Sequence, residues 1–258
     1  MPDGFGNVEG QLLLWLFAAI RPGAAFLAAP VFGAAAVPAQ LRLVIALAIG
    51  VPAASMGDIK LPLEGIVSVT GLLAVVAEAV AGLALGFAVQ IGFAAALLGG
   101  EIVSNTMGLG FASMNDPMGG HSSAAIGQFL SMLATFLFLV SGGHLALAVI
   151  IVESYRALPP GSAWLSHNAL GGIAGFGSLI FAAGLSVALP VGFAMVLVQI
   201  VMAMIARATP TLNLFAVGIP ATLLAGIVLL AIATPAMADA MSTAIEIGLN
   251  QAHILTSG

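Results

Sequence analysis

The stretch LLAVVAEAVAGLALGF, Leu72 to Phe87, decides the solvent for which this chain is built. Glu78 is its only charge, and the run around it, Ile66–Leu98, is longer than the roughly 20 apolar residues that span a bilayer as a helix. Five further apolar runs are separated by Pro, Gly and a few charges: Leu12–Ala29, Ala39–Met56, Ala124–Val152, Ile173–Ile205 and Leu214–Met237. Hydrocarbon leaves open backbone groups unsatisfied, and the ten-residue alternation of a β-barrel is missing, so the runs predict helices. The expected fold is an all-α integral membrane protein, one helical domain over residues 1–258, with about six apolar runs forming bent hairpins. Pro190 predicts a kink or tight hairpin in the fifth run, and Pro30 and Pro38 bracket a break between the first two.

Composition agrees with this reading. Hydrophobic residues make up 61% of the 258 and charged ones 6%, with mean hydropathy +1.20, whereas a soluble domain carries about 25% charged residues. Five Lys and Arg against ten Asp and Glu exclude a basic face for nucleic acid. The absence of cysteine removes disulfides, thiolate metal sites and cysteine nucleophiles together. Asp3 and Glu9 stand where a secretory leader would be positive, so no cleaved leader is expected. Arg21, Arg42, Lys60, Arg156 and Arg207 are scattered singly, which leaves orientation open under the positive-inside rule.

Glu78 calls for its own account. A charged side chain in such a run costs about 3 kcal/mol on the insertion scale, which neighbouring Leu and Val residues at roughly 0.4 each offset. Two readings stand: a proton or ion relay, or a carboxyl that is protonated or hydrogen-bonded at a helix or subunit contact. GLALG (Gly82–Gly86) and GGIAG (Gly171–Gly175) are small-xxx-small patterns through which helices approach closely in lipid.

A different texture appears at GLGFASMNDPMGGHSS, Gly108 to Ser123, which combines glycines, methionines and a proline between two apolar runs. Asp116, His121, Ser122 and Ser123 crowd this segment. A hydrolase triad, however, converges from distant parts of a chain, and His121, His144, His167 and His253 show no metal-ligand spacing. Neither an enzyme nor a metal or other cofactor is expected.

Three stretches carry a resemblance: GGEIVSNTMGLGFASMNDPMGG (Gly99–Gly120), FLFLVSGGHLALAVIIVESYRALPPG (Phe136–Gly161) and ARATPTLNLFAVGIPATLLAGI (Ala206–Ile227). They are similar to regions of the FliR family of flagellar and virulence-type export-gate subunits, with matching length, hydropathy and motif order. Within the second stretch the resemblance rests on Gly143, His144, Ser154, Tyr155, Pro160 and Gly161. In the third it rests on Arg207, Ala208, Pro210, Asn213, Phe215, Gly218 and Pro220. Thr211 departs from the glutamine common in the family after that first proline.

The resemblance implies a non-enzymatic subunit of the bacterial inner membrane, in the flagellar basal body. There it would join FliP-like and FliQ-like subunits around a pore for unfolded proteins, with an FlhB-like subunit outside and lipid around it. Its N-terminal part would be FliP-like and its C-terminal part FliQ-like. Met107, Gly108, Gly110, Phe111, Met114, Asp116, Pro117, Met118, Gly119 and Gly120 would form a plug in that pore. Glu78, Gly82, Gly86, Arg207, Pro210, Asn213, Phe215, Gly218 and Pro220 are the residues expected at subunit interfaces. Side-chain chemistry agrees with the plug, because adaptable methionines seal without specific pairing and glycines permit unusual dihedrals, while Asp116-Pro117 sets a turn. The alternatives are a small secondary transporter, suggested by broken helices and an isolated carboxylate, and a membrane scaffold without a pore.

Overall fold

The computed structural model describes residues 4–56, 59, 61, 65–109, 125–160, 167–209 and 214–257. Among them are seven α-helices and no strand: α1 Gly4–Ala28, α2 Ala39–Met56, α3 Val69–Thr106, α4 Ala125–Val140, α5 Gly143–Ala157, α6 His167–Ala208 and α7 Leu214–Ser257. At 1.5 Å per residue, the 38 residues of α3 extend about 57 Å, well beyond the ~30 Å of hydrocarbon.

Four of these helices are long and apolar enough to cross a membrane, or five if the bent pair α4 and α5 forms one span. The expectation of six is corrected accordingly. The described apolar part of α2, Ala39–Ser55, falls short of a spanning length. The fourth run breaks at Gly142, where a left-handed residue (φ 73°) turns the chain by 65° between α4 and α5. Of the kink or tight hairpin expected at Pro190, the hairpin is ruled out, because α6 runs through it as one helix, and α7 runs through Pro220 and Pro235. One proline removes one hydrogen bond. Opening the helix in hydrocarbon would orphan several backbone groups at several kcal/mol each, so continuity is the less costly outcome.

The chain forms two compact units. The first comprises residues 1–91, 139–176 and 246–258, and the second residues 92–138 and 177–245. In the first, α1 and α2 form an antiparallel pair joined by the turn after Ala28, with α5 against both. Arg42 fastens that turn by donating from Nε to the Phe32 carbonyl (2.9 Å) and from Nη2 to that of Ala34 (2.6 Å). Phe26 and Phe32 meet edge to face across it. The helices pack through small residues. A Cβ on Gly50 of α2 would lie 2.6 Å from the Ala18 carbonyl oxygen of α1. Phe17, Ala18, Ala53, Ala74 and Tyr155 form the core beside this crossing. Ser68 caps α3, its hydroxyl accepting from the Gly71 amide at 3.0 Å.

In the second unit the C-terminal part of α3 is the shared helix. Gly100 meets Gly127 of α4 backbone to backbone, Gly99 and Gly184 seat Val187 and Leu98 at the crossing with α6, and Gly92 lies on Ile245 of α7. Close approach of this kind gives the dispersion contacts that hold helices together where lipid is as apolar as they are.

Candidate functional site

Two places concentrate chemistry. The first, in the first unit, is built on Arg21 of α1, which is 1% exposed. Its Nε and Nη2 donate to Oε2 and Oε1 of Glu78 at 2.9 and 2.8 Å, a two-pronged ion pair. Nη1 donates to Ser154 Oγ (2.9 Å) and Nη2 to the Leu158 carbonyl (2.8 Å), while the guanidinium lies 4.2 Å from the Tyr155 ring centroid. Tyr155 in turn donates its hydroxyl proton to the Ala18 carbonyl at 2.7 Å. Charges on α1 and α3 therefore cancel in place, and Ser154 of α5 and its C-cap residue Leu158 supply the remaining acceptors. Such satisfaction is what a buried charge requires.

Gly82 and Gly86 make this pairing possible. Each presses on the α1 backbone, at the carbonyls of Arg21 and Ala25, and a Cβ on either would also lie within 2.9 Å of the Ala24 or Ala28 methyl. Glu78, Gly82 and Gly86 occupy one face of α3 at i, i+4, i+8, and that face is covered by α1 of the same chain. The GGIAG pattern behaves differently: among the described residues, a Cβ on Gly171 or Gly175 of α6 would meet nothing within 4 Å.

The second place is the C-terminal end of α3, in the second unit. Gly108 is left-handed (φ 83°). Its amide donates to the Asn105 carbonyl (3.1 Å) and the Leu109 amide to that of Ser104 (3.1 Å), while Met107 N–H reaches Val103. This is a Schellman ending with glycine at the left-handed position. The last carbonyl, that of Thr106, lies beyond its reach and accepts from Gln199 Nε2 of α6 at 2.7 Å. All four C-terminal carbonyls of α3 thus have donors, which a helix end requires. The Met107 side chain is buried over Gly226 of α7, where a Cβ would lie 2.6 Å from the methionine Cε. Beside this end is a cavity of about 270 Å³ lined by Asn105, Thr106, Gln199, Met202, Gly218 and Thr222, among others.

The other expected residues are dispersed. Gly110, Phe111, Met114, Asp116, Pro117, Met118, Gly119 and Gly120 lie outside the described residues, as do Pro210 and Asn213. Arg207 is exposed in the last turn of α6, Gly218 is buried at the cavity, and Pro220 is exposed within α7. Phe215 belongs to α7, its side chain outside the described residues. His144 is the second residue of α5, its Nδ1 buried and without a hydrogen-bond partner among the described residues. His253 approaches Glu153 to 4.0 Å, with both side chains more than half exposed; such a pair adds little.

In the sequence Arg21 is one of five scattered cations, and Gln199 and Gly226 do not stand out. A signal for the first exists: one cation and one carboxylate, each alone in a separate apolar run, are expected to pair. Gln199 and Gly226 carry no comparable mark.

Long apolar helices, small-residue crossings and a neutralised internal charge pair define a multi-span helical membrane protein. A family model described as "Bacterial export proteins, family 1" matches residues 12–247. The flagellar biosynthetic protein FliR of Escherichia coli (strain K12) is 33% identical over 230 residues, covering 88% of this chain and 86% of that protein. Its namesake from Pectobacterium carotovorum subsp. carotovorum is 34% identical over 209 residues (80% and 78%), and that of Bacillus subtilis (strain 168) 30% over 209 (80% of each). The chain belongs to this bacterial export family, the FliR family, and is a membrane-embedded export component.

Proposed function

We propose that this chain is a subunit of the flagellar type III export gate in the bacterial inner membrane, without enzymatic activity. In this reading it assembles with FliP-like and FliQ-like subunits around a pore for unfolded flagellar proteins, with an FlhB-like subunit outside, and residues 107–120 form the plug. The observation that carries the reading is the family match across residues 12–247. Exposed apolar surface supports the assembly: Phe181, Phe193 and Met204 of α6 and Leu224 and Ile232 of α7 are each about two-thirds exposed. Such surface needs lipid or further subunits to cover it. The transporter reading drew on an isolated membrane carboxylate, and Glu78 is paired with Arg21.

Co-expression of the tagged chain with its FliP-like and FliQ-like partners, followed by purification in mild detergent, tests the proposal. One stable complex containing all three is expected. A monodisperse, folded monomer that ignores both partners would refute it.

A further inference from the structure

The ending of α3 is held by more than its own hydrogen bonds. Three of its four terminal carbonyls are satisfied locally through the Gly108 turn, and a helix needs no more than this and water to stop. Yet the fourth, Thr106 O, takes its donor from Gln199, 93 residues away on α6. One residue on, Met107 is 1% exposed and fills the space that Gly226 leaves on α7, its Cε, Cγ and Sδ all within 2.9 Å of where a Cβ would stand. Two different helices therefore grip two consecutive residues, one by a polar contact and one by shape. Both contacts precede the point where the chain leaves α3.

We propose that Gln199 and Gly226 are positioning residues that dock the end of α3 on α6 and α7 and thereby set where residues beyond Leu109 begin. The consequence for transport rests on the reading of residues 107–120 as a seal; the docking does not. Gln199 acts as a donor to a helix C-terminus, and Gly226 acts by lacking a side chain.

The cysteine-free chain allows a direct measurement. Spin labels are placed at Leu109→Cys and Leu197→Cys, the latter on an exposed site of α6, in the complex with the FliP-like and FliQ-like subunits. The parent should give one narrow distance. Gln199→Leu should enlarge a second, undocked population about three- to tenfold, the range for one lost hydrogen bond. Gln199→Lys, which keeps a donor and places positive charge at a helix C-terminus, should restore the narrow distance. Gly226→Leu should broaden it, and Gly226→Ala, whose methyl displaces only a flexible methionine, should do so more mildly and covers the case in which the leucine variant fails to assemble. An unchanged distance in both Gln199→Leu and Gly226→Ala overturns the proposal, as does a lysine variant no better than leucine. Solute leak is measured on the same samples beside a Ser113–Gly119 deletion. A tight membrane in that deletion would refute the seal, while the distances still decide the docking.

Discussion

Arg21 and Glu78 stand 57 residues apart and meet through two hydrogen bonds of 2.9 and 2.8 Å in the interior of the first unit. Each alone is costly in an apolar run, and each removes the other's cost. The pair, with Ser154 and the Leu158 carbonyl, requires that α1, α3 and α5 come together before any of the three is at ease in a dry environment.

Breaking that pair from one side should be worse than removing it. Glu78→Ala leaves the Arg21 guanidinium buried without its counter-charge, at about 3–5 kcal/mol. Arg21→Met with Glu78→Leu leaves no stranded charge and should recover much of the loss. Folded yield in detergent and midpoint of SDS-induced unfolding report both; a double variant as poor as the single would contradict this account.

Glycine substitutions should separate along the two small-residue patterns. Gly86→Val introduces bulk against the Ala25 carbonyl and the Ala28 methyl and should prevent the α1–α3 crossing. Gly171→Ala meets nothing among the described residues and should be neutral or stabilising by up to about 1 kcal/mol, because alanine is the better helix former. Thermal stability of the purified complex distinguishes them.

At Gly108 the backbone sets the ranking. A left-handed φ of 83° penalises any Cβ, so Gly108→Val should cost more than Gly108→Ala, at about 1–2 kcal/mol, with Gly108→Asn mildest. Equal stability of all three by unfolding titration would mean that the helix end is not held in this geometry.

If residues 107–120 seal the gate, deletion of Ser113–Gly119 should leave assembly intact and let small solutes through. Met114→Ala with Met118→Ala should give a weaker leak, and Asp116→Asn little change, since asparagine supports similar turn bonds. Native-gel yield and solute-induced growth arrest are the two readings. Normal assembly with a tight membrane returns the segment to an ordinary connection.

Asn213→Leu should lower the yield of the complex with FliP-like and FliQ-like subunits more than it lowers membrane insertion, if the segment from Arg207 to Pro220 serves a neighbouring chain. Undiminished complex yield would remove Asn213 from the interface.

Hydropathy and composition by themselves determined that this is a helical membrane protein, because the solvent of a chain is set by what its side chains tolerate. The three quoted stretches determined its family. Glycine patterns indicated that backbones would touch, and Gly82 and Gly86 do, but only the tertiary structure decided that they touch α1 of their own chain. Tertiary structure also decided that Pro190, Pro220 and Pro235 sit inside unbroken helices, since the cost of opening a helix depends on what surrounds it. Gly108 reads in sequence as freedom for a loop; the fold uses it to end α3. Gln199 and Gly226 acquire meaning only from Thr106 and Met107, residues far away in the chain. One-dimensional periodicity records which face of a helix is buried, not which distant group meets it there.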